Sequence, residues 1–319
     1  MQLLKTGTTA LLACSLGLLG GCGAATQMVQ TGVAATSSTS ATSSTDAVVT
    51  QDKATLTQHL KSAALSAAAY NQAAKTRLSL LSEQGLTEVK YVGLTETANT
   101  SSGTQYIVAE EGKTLYISFT GSNEKKDFLS LLSQYETYQT SSYPVRQGFV
   151  SAWEEAEADI TALIREKNPT AIVMSGHSKG GAIAAAAAMK LMAEGFPVTE
   201  VTTFGAPPIF KIPSDETDAN FQSKLAASDI TTRLNKISTL YVREYDYVQL
   251  ASAGLTMNNR SIGTLLTLKD DGTLQSGSSL GSSAISALTN TASAKVTKLN
   301  SEALHHNANT YLDILKTVK

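Results

Sequence analysis

Serine hydroxyls are poor nucleophiles at neutral pH, so a chemically active serine is recognised by what surrounds it. The stretch VMSGHSKGGAIAAAAA, residues 173–188, places Ser178 between Gly176 and Gly180 in a G-x-S-x-G pattern. That pattern belongs to a nucleophile elbow, a sharp strand-to-helix turn that needs small residues two before and two after the serine. The pattern alone is weak, but its setting strengthens it. An apolar run, AIVM, precedes it and an alanine-rich run follows, which reads as a buried strand feeding a helix that packs close to a sheet. Such a serine attacks a carbonyl carbon once a neutral imidazole takes its proton and an acid orients that imidazole. The chain has four histidines, and in the elbow class the order is serine, acid, histidine. His59 comes too early, and His177 adjoins the serine on a turn that prevents it from facing the hydroxyl. His305 and His306 remain, in ALHHNANTYLDIL. For the acid, TLYVREYDYVQL offers Glu244 and Asp246, and Asp246 falls just past the apolar run, where a sheet would end. The competing reading of Asp246 is an ion pair with Arg243.

These groups need a scaffold. The chain has 319 residues, 42% hydrophobic and 16% charged, with a formal net charge of -2. This is a globular balance with no basic excess to suggest nucleic acid. The two cysteines, Cys14 and Cys22, both lie near the N-terminus, which excludes a disulfide framework for the folded part. ATLTQHLKSAALSAAAYNQAA, 54–74, has helical spacing. TEVKYVGL, TQYIVAE and TLYISFTGS read as strands, the last two joined as a hairpin by EEGK. VSAWEEAEADITALIREKN reads as an amphipathic helix with Trp153, Ala156, Ile160, Leu163 and Ile164 on one side. TAIVMSG is a strand, GAIAAAAAMKLMAEG a buried helix ending at Gly195, TEVTTFGAP and STLYVREY further strands, and a short helix closes the chain. Residues 274–295, rich in Ser and Ala, read as a loop or weak helix. Strands alternating with helices predict an α/β fold, a mainly parallel sheet with helices on both faces, formed as one domain by 52–319.

The pieces ISFTGSNEKKDFLSLL, VRQGFVSAW, IVMSGHSKGGAIAAAAA, VTTFGAP, VREYDYVQL and HNANTYLDIL run from 116 to 315 in an order that resembles the class 3, or fungal-type, lipase family. The resemblance implies an α/β-hydrolase fold and hydrolysis of carboxylic esters, acylglycerol lipids foremost. By carry-over, Ser178 is the nucleophile and Asp246 orients the base. The histidine five before the tyrosine of the terminal helix is the base, which selects His306. The residue after the glycine in Thr120-Gly121-Ser122 supplies an oxyanion donor, so Ser122 takes that role, and the backbone N–H of Lys179 is the second donor. No metal or other cofactor is implied. Thr120 stands where the family carries arginine, and Lys179 where it carries leucine. These departures bear on substrate preference rather than on the chemistry. The segment NEKKDFLSLLSQYETY overlaps the family's lid, where Phe128, Leu129, Leu131 and Leu132 form either an apolar cover or ordinary core. A phospholipase A1, a short-chain carboxylesterase and a surface-tethered binding module that kept the fold are the alternatives. A Ser-Lys peptidase is disfavoured, because Lys179 adjoins the serine on a sharp turn.

The N-terminus reads as an address. MQLLKTGTTALLACSLGLLGGC has one positive charge, Lys5, then an apolar run shorter than a transmembrane span, then small residues. Its end, LGGC at 19–22, resembles a bacterial lipobox, implying a signal peptide at 1–21 and a diacylglycerol on Cys22. Residues 22–51, rich in Ala, Thr and Ser, read as a flexible tether with an r.m.s. reach of roughly 30 Å. The expected protein is exported, anchored to a bacterial membrane through Cys22, and meets a lipid or ester substrate there.

Overall fold

A computed structural model describes residues 47–93, 103–121, 135–136, 141–211, 217–243, 246, 262–276 and 306–319. Helix α1 (Lys53–Ala68) starts on Asp52, whose carboxylate accepts from the Thr55 N–H at 2.9 Å, an ordinary N-cap. It stops at Ala68, earlier than the helical spacing through residue 74 predicts. The Asn71 side chain donates to the Ala67 carbonyl, and this competition with the helical ladder breaks the run before α2 (Ala74–Ser82) begins. Three antiparallel strands follow: β1 (Thr87–Val92), β2 (Tyr106–Glu111) and β3 (Thr114–Phe119). The expected β2–β3 hairpin forms, turning through Gly112 at φ 59°. Two short strands, β4 (Tyr135–Glu136) and β5 (Val145–Arg146), pair apart from the main sheet.

Helix α3 (Gln147–Lys167) then packs on one face of the sheet, burying Trp153, Ala156, Ile160 and Ile164, while Leu163 stays half-buried. Next come β6 (Ala171–His177), α4 (Lys179–Ala193), which ends before Gly195 at φ 83°, and β7 (Val198–Phe204). Two helices that sequence reading missed, α5 (Asp218–Ala226) and α6 (Asp229–Ile237), carry the chain to β8 (Ser238–Arg243). Strands β9 (Thr264–Leu268) and β10 (Leu274–Ser276) and helix α7 (Ala308–Leu315) complete the described chain. Residues 274–276 thus form a strand where a loop or weak helix was expected. Leu274 is buried in the core, and the Val48 segment pairs on the far side of Gln275.

The main sheet has the order β1-β2-β3-β6-β7-β8-β9-β10. Its centre, β3-β6-β7-β8-β9, is parallel, and both flanks are antiparallel. Parallel strands need crossovers, and the helices supply cover on both faces. On one face α3 and α4 enclose a core with Phe119, Phe149, Trp153 and Met174. On the other, α1 and α7 pack over Phe204, Tyr241 and Leu266. Five alanines of α4 (Ala182, Ala184, Ala186, Ala187, Ala188) are buried, so that helix lies close against β6 and β7. The consequence is functional: β6, β7 and β8 all end at one edge, and the residues that follow them meet there.

Candidate active site

Ser178 follows β6 directly and precedes α4, with φ 57° and ψ -134°. An L-residue at such angles is strained, at a typical cost of about 1–3 kcal/mol, and persists only because its surroundings fix it. They do so tightly. A Cβ on Gly176 would overlap Gly180, and one on Gly180 would overlap the Phe119 carbonyl, so both glycines of the motif are required by close approach. The Ser178 N–H donates to the Phe204 carbonyl at 2.9 Å, tying the turn to the neighbouring strand. Ser178 stands at the N-cap of α4, yet its hydroxyl caps nothing in the helix, which leaves it for other chemistry. The Lys179 N–H is the first of the helix, in the turn whose amides have no intrahelical acceptor.

Asp246 lies three residues past the end of β8, where the sheet edge was expected to bring it, and is fully buried. His306 Nδ1 lies 2.9 Å from Asp246 Oδ1 and 2.8 Å from Oδ2. With the carboxylate accepting, Nδ1 carries the proton and Nε2 is the basic nitrogen, the tautomer a general base requires. The His306 ring rests on the His177 ring, centroids 4.4 Å apart, which sets it beside the residue that precedes Ser178. Arg243, the competing partner for Asp246, places Nη2 2.5 Å from Asp270. The structure therefore bonds His306 to Asp246 and sets that pair against His177, the neighbour of Ser178, at the edge where β6, β7 and β8 end. Ser122, Glu244, His305, Cys22 and the four apolar residues Phe128, Leu129, Leu131 and Leu132 lie outside the described residues.

Three residues of the site were missed by sequence reading. Tyr70, in the break between α1 and α2, accepts from the Gly121 N–H at 2.9 Å and lies 2.9 Å from His177 Nδ1. The turn after β3 is so close that a Cβ on Gly121 would come 3.0 Å from the Ser178 Cβ. The Gly121 amide is thus already bonded, to the Tyr70 hydroxyl. Tyr311 donates to Asp246 Oδ2 at 2.6 Å. Gly205, φ 57°, leaves the space in which Asp246, His306 and Tyr311 converge. Burial holds the His177 imidazole well below its ordinary range, and the neighbouring His306 pushes the same way, so His177 stays neutral. Thr120 is buried and donates to the Ala69 carbonyl at 3.2 Å, which joins β3 to the end of α1.

A mainly parallel sheet clad on both faces, with serine at the elbow after one strand, aspartate after a later strand and histidine beyond, defines an α/β-hydrolase fold. Comparison with known proteins agrees. Residues 116–248 match the family described as Lipase (class 3). A secreted mono- and diacylglycerol lipase of Fusarium solani is 45% identical over 67 residues, 20% of each chain, so the protein spans about a fifth of the length of that curated relative. Among solved structures, the triacylglyceride lipase of Rhizomucor miehei superposes with a TM-score of 0.56 at 19% identity, covering 76% of this chain and 92% of that one. Lipase II from Rhizopus niveus gives 0.55 at 18% identity, covering 73% and 88%. At these identities the structural likeness speaks for the fold.

Proposed function

We propose that this protein is a class 3 lipase, a serine hydrolase that cleaves carboxylic esters with acylglycerols as its substrate class. The observation that carries the reading is the hydrogen-bonded Asp246–His306 pair set against the elbow that strains Ser178. In this reading the Ser178 hydroxyl attacks the ester carbonyl while His306 Nε2 takes its proton. The charge that develops on the carbonyl oxygen is met by the N–H groups of Lys179 and Ser122. His306 then protonates the departing alcohol, the acyl group stays on Ser178, and water activated by the same imidazole releases the acid. Asp246 holds the tautomer and stabilises the imidazolium throughout. The match of 116–248 to class 3 lipases, and the acylglycerol lipase of Fusarium solani that resembles part of it, support the lipid substrate.

The experiment is a panel of p-nitrophenyl esters, emulsified triacylglycerol, diacylglycerol and phospholipid, run on the intact protein and on Ser178→Ala. Loss of a triad serine costs about four or more orders of magnitude in kcat. Ser178→Ala retaining most of the activity would defeat the mechanism, and a clear preference for phospholipid would replace the acylglycerol assignment.

The cysteine of LGGC extends the proposal: Cys22 becomes the lipidated N-terminus, and the stretch between it and the Val48 segment tethers the hydrolase to a bacterial membrane, a shorter tether than the expected 22–51 because Val48 and Gln51 already bond to the folded domain. Two or more acyl chains give stable anchoring where one is marginal. Cys22→Ser should move the protein from the membrane fraction to the soluble one, and unchanged fractionation would count against the anchor.

A further inference from the structure

Helix α7 begins immediately after His306, and this placement has a consequence for the acid of the site. Asn307 caps the helix, its side-chain oxygen accepting from the Asn309 N–H at 2.8 Å. His306 therefore occupies the position before the cap, and Tyr311 the fourth helical position. Those two positions face each other across the first turn of a helix. Here both side chains reach the same atom. Asp246 Oδ2 lies 2.8 Å from His306 Nδ1 and accepts from the Tyr311 hydroxyl at 2.6 Å. The Tyr311 oxygen in turn accepts from the Arg243 N–H at 3.0 Å, so its single proton is committed to the carboxylate.

We propose that Tyr311 is a positioning residue for ester hydrolysis, a fixed donor that holds Asp246 in place and draws off part of its charge. The inference rests on the hydrolase reading of Ser178, Asp246 and His306. A buried carboxylate that accepts only from the imidazole would hold the imidazolium too firmly and would be free to turn. A second donor on Oδ2 counters both effects. The hydroxyl is a constant donor, since burial and the facing carboxylate push the Tyr311 phenol far above its ordinary range. Gly205 belongs to the same device. A Cβ there would come 2.6 Å from Asp246 Oδ2, 3.0 Å from the Tyr311 oxygen and 3.1 Å from His306 Cε1, and its φ of 57° suits glycine.

Other titratable groups around the pair act differently. From the end of β6, the neutral His177 ring packs against His306 at a tilt of 40°, with Tyr70 of the α1–α2 break beyond it. From β8, Arg243 places its guanidinium on Asp270. From α7, Tyr311 donates to Asp246.

The test measures kcat, KM and the pH dependence of kcat/KM for a soluble p-nitrophenyl ester with the intact protein, Tyr311→Phe and Ser178→Ala, alongside thermal denaturation. In Tyr311→Phe the carboxylate keeps more of its charge for the imidazole, so that bond strengthens and stabilises the imidazolium. We expect kcat to fall about 10- to 100-fold with KM within about twofold. The acid limb of kcat/KM should move to higher pH by on the order of 0.5 to 1 unit. Incorporating 3,5-difluorotyrosine at 311 gives a stronger donor of nearly the same shape, and should move the limb to lower pH; it also serves if Tyr311→Phe fails to fold. Limbs that stay put in both variants, whether or not kcat or thermal stability falls, would overturn the proposal, because packing alone leaves them unmoved. If instead the intact protein and Ser178→Ala hydrolyse the ester equally, the hydrolase reading falls first and the role of Tyr311 falls with it.

Discussion

Acidification should destabilise this fold through His59, on the sheet face opposite α3 and α4. His59 is buried under α1, and its Nδ1 lies 2.7 Å from the Tyr241 hydroxyl. That hydroxyl donates onward to Gln51 Oε1 at 2.7 Å, so it accepts from a neutral His59 Nδ1–H. Burial pushes the His59 imidazole down to about 4 from an ordinary 6.5, with Asp52 opposing weakly. The folded state then binds fewer protons than the unfolded chain between pH 6.5 and 4. Stability is complete above that window and falls as pH drops through it. A gap of about 2.5 units corresponds to roughly 3 kcal/mol. This is a ceiling, because Glu200 Oε1 lies 3.8 Å from His59 Nε2 and would attract the charged ring when ionised. Glu200 is itself raised by burial, which weakens that rescue at acid pH. The perturbation is His59→Asn, which removes the titrating group. Its cavity cost is the same at every pH, so the difference between the two proteins isolates protonation. Urea denaturation at several pH values from 7.5 to 4 is the assay. The stability advantage of the unmodified protein should shrink by about 2–3 kcal/mol across that range. Parallel curves, within about 0.5 kcal/mol, would refute the reasoning.

Two further outcomes follow from local geometry. Ser178→Gly should abolish ester hydrolysis while raising stability by about 1 kcal/mol, read as an increase in Tm, because glycine tolerates φ 57°; an unchanged or lower Tm would mean that the turn stores no strain. Arg77 binds Glu88 through Nε at 2.5 Å and Nη2 at 3.1 Å, donates to the carbonyls of Asn71 and Gln72, and lies 3.8 Å over the Tyr91 ring. Arg77→Ala should cost about 3 kcal/mol in urea denaturation, since it leaves Glu88 largely buried without its partner, and Arg77→Lys should recover only part of that.

Much of this architecture is legible in the chain because local chemistry dictates it. The EEGK turn between two β-rich runs carries the signal of a hairpin, and the short apolar run before GHSKG, bounded by turn residues, carries that of a buried strand. The order of Ser178, Asp246 and His306 is a property of the sequence, and so is the five-residue interval from His306 to Tyr311. Other features are set by distant contacts. Helices α5 and α6 each bury only one or two large apolar residues, Phe221 and Leu225 in one and Leu234 in the other, too few for a clear period. Strand β10 is three residues long, in a Ser-rich stretch, and exists because β9 and the Val48 segment offer hydrogen bonds on either side. Tyr70, Gly205 and Tyr311 look ordinary in one dimension. Each acquires meaning where a hydroxyl or an empty Cβ position meets residues far away in the chain.

The central claim is that Ser178 is the nucleophile of an ester hydrolase. The most direct test treats the intact, folded protein with a fluorophosphonate ester and maps the adduct by peptide mass spectrometry while following hydrolysis of a p-nitrophenyl ester. The account predicts one adduct, on Ser178, forming at the same rate at which activity disappears. Activity that survives full labelling of Ser178, or an adduct on another residue that tracks the loss, would contradict it.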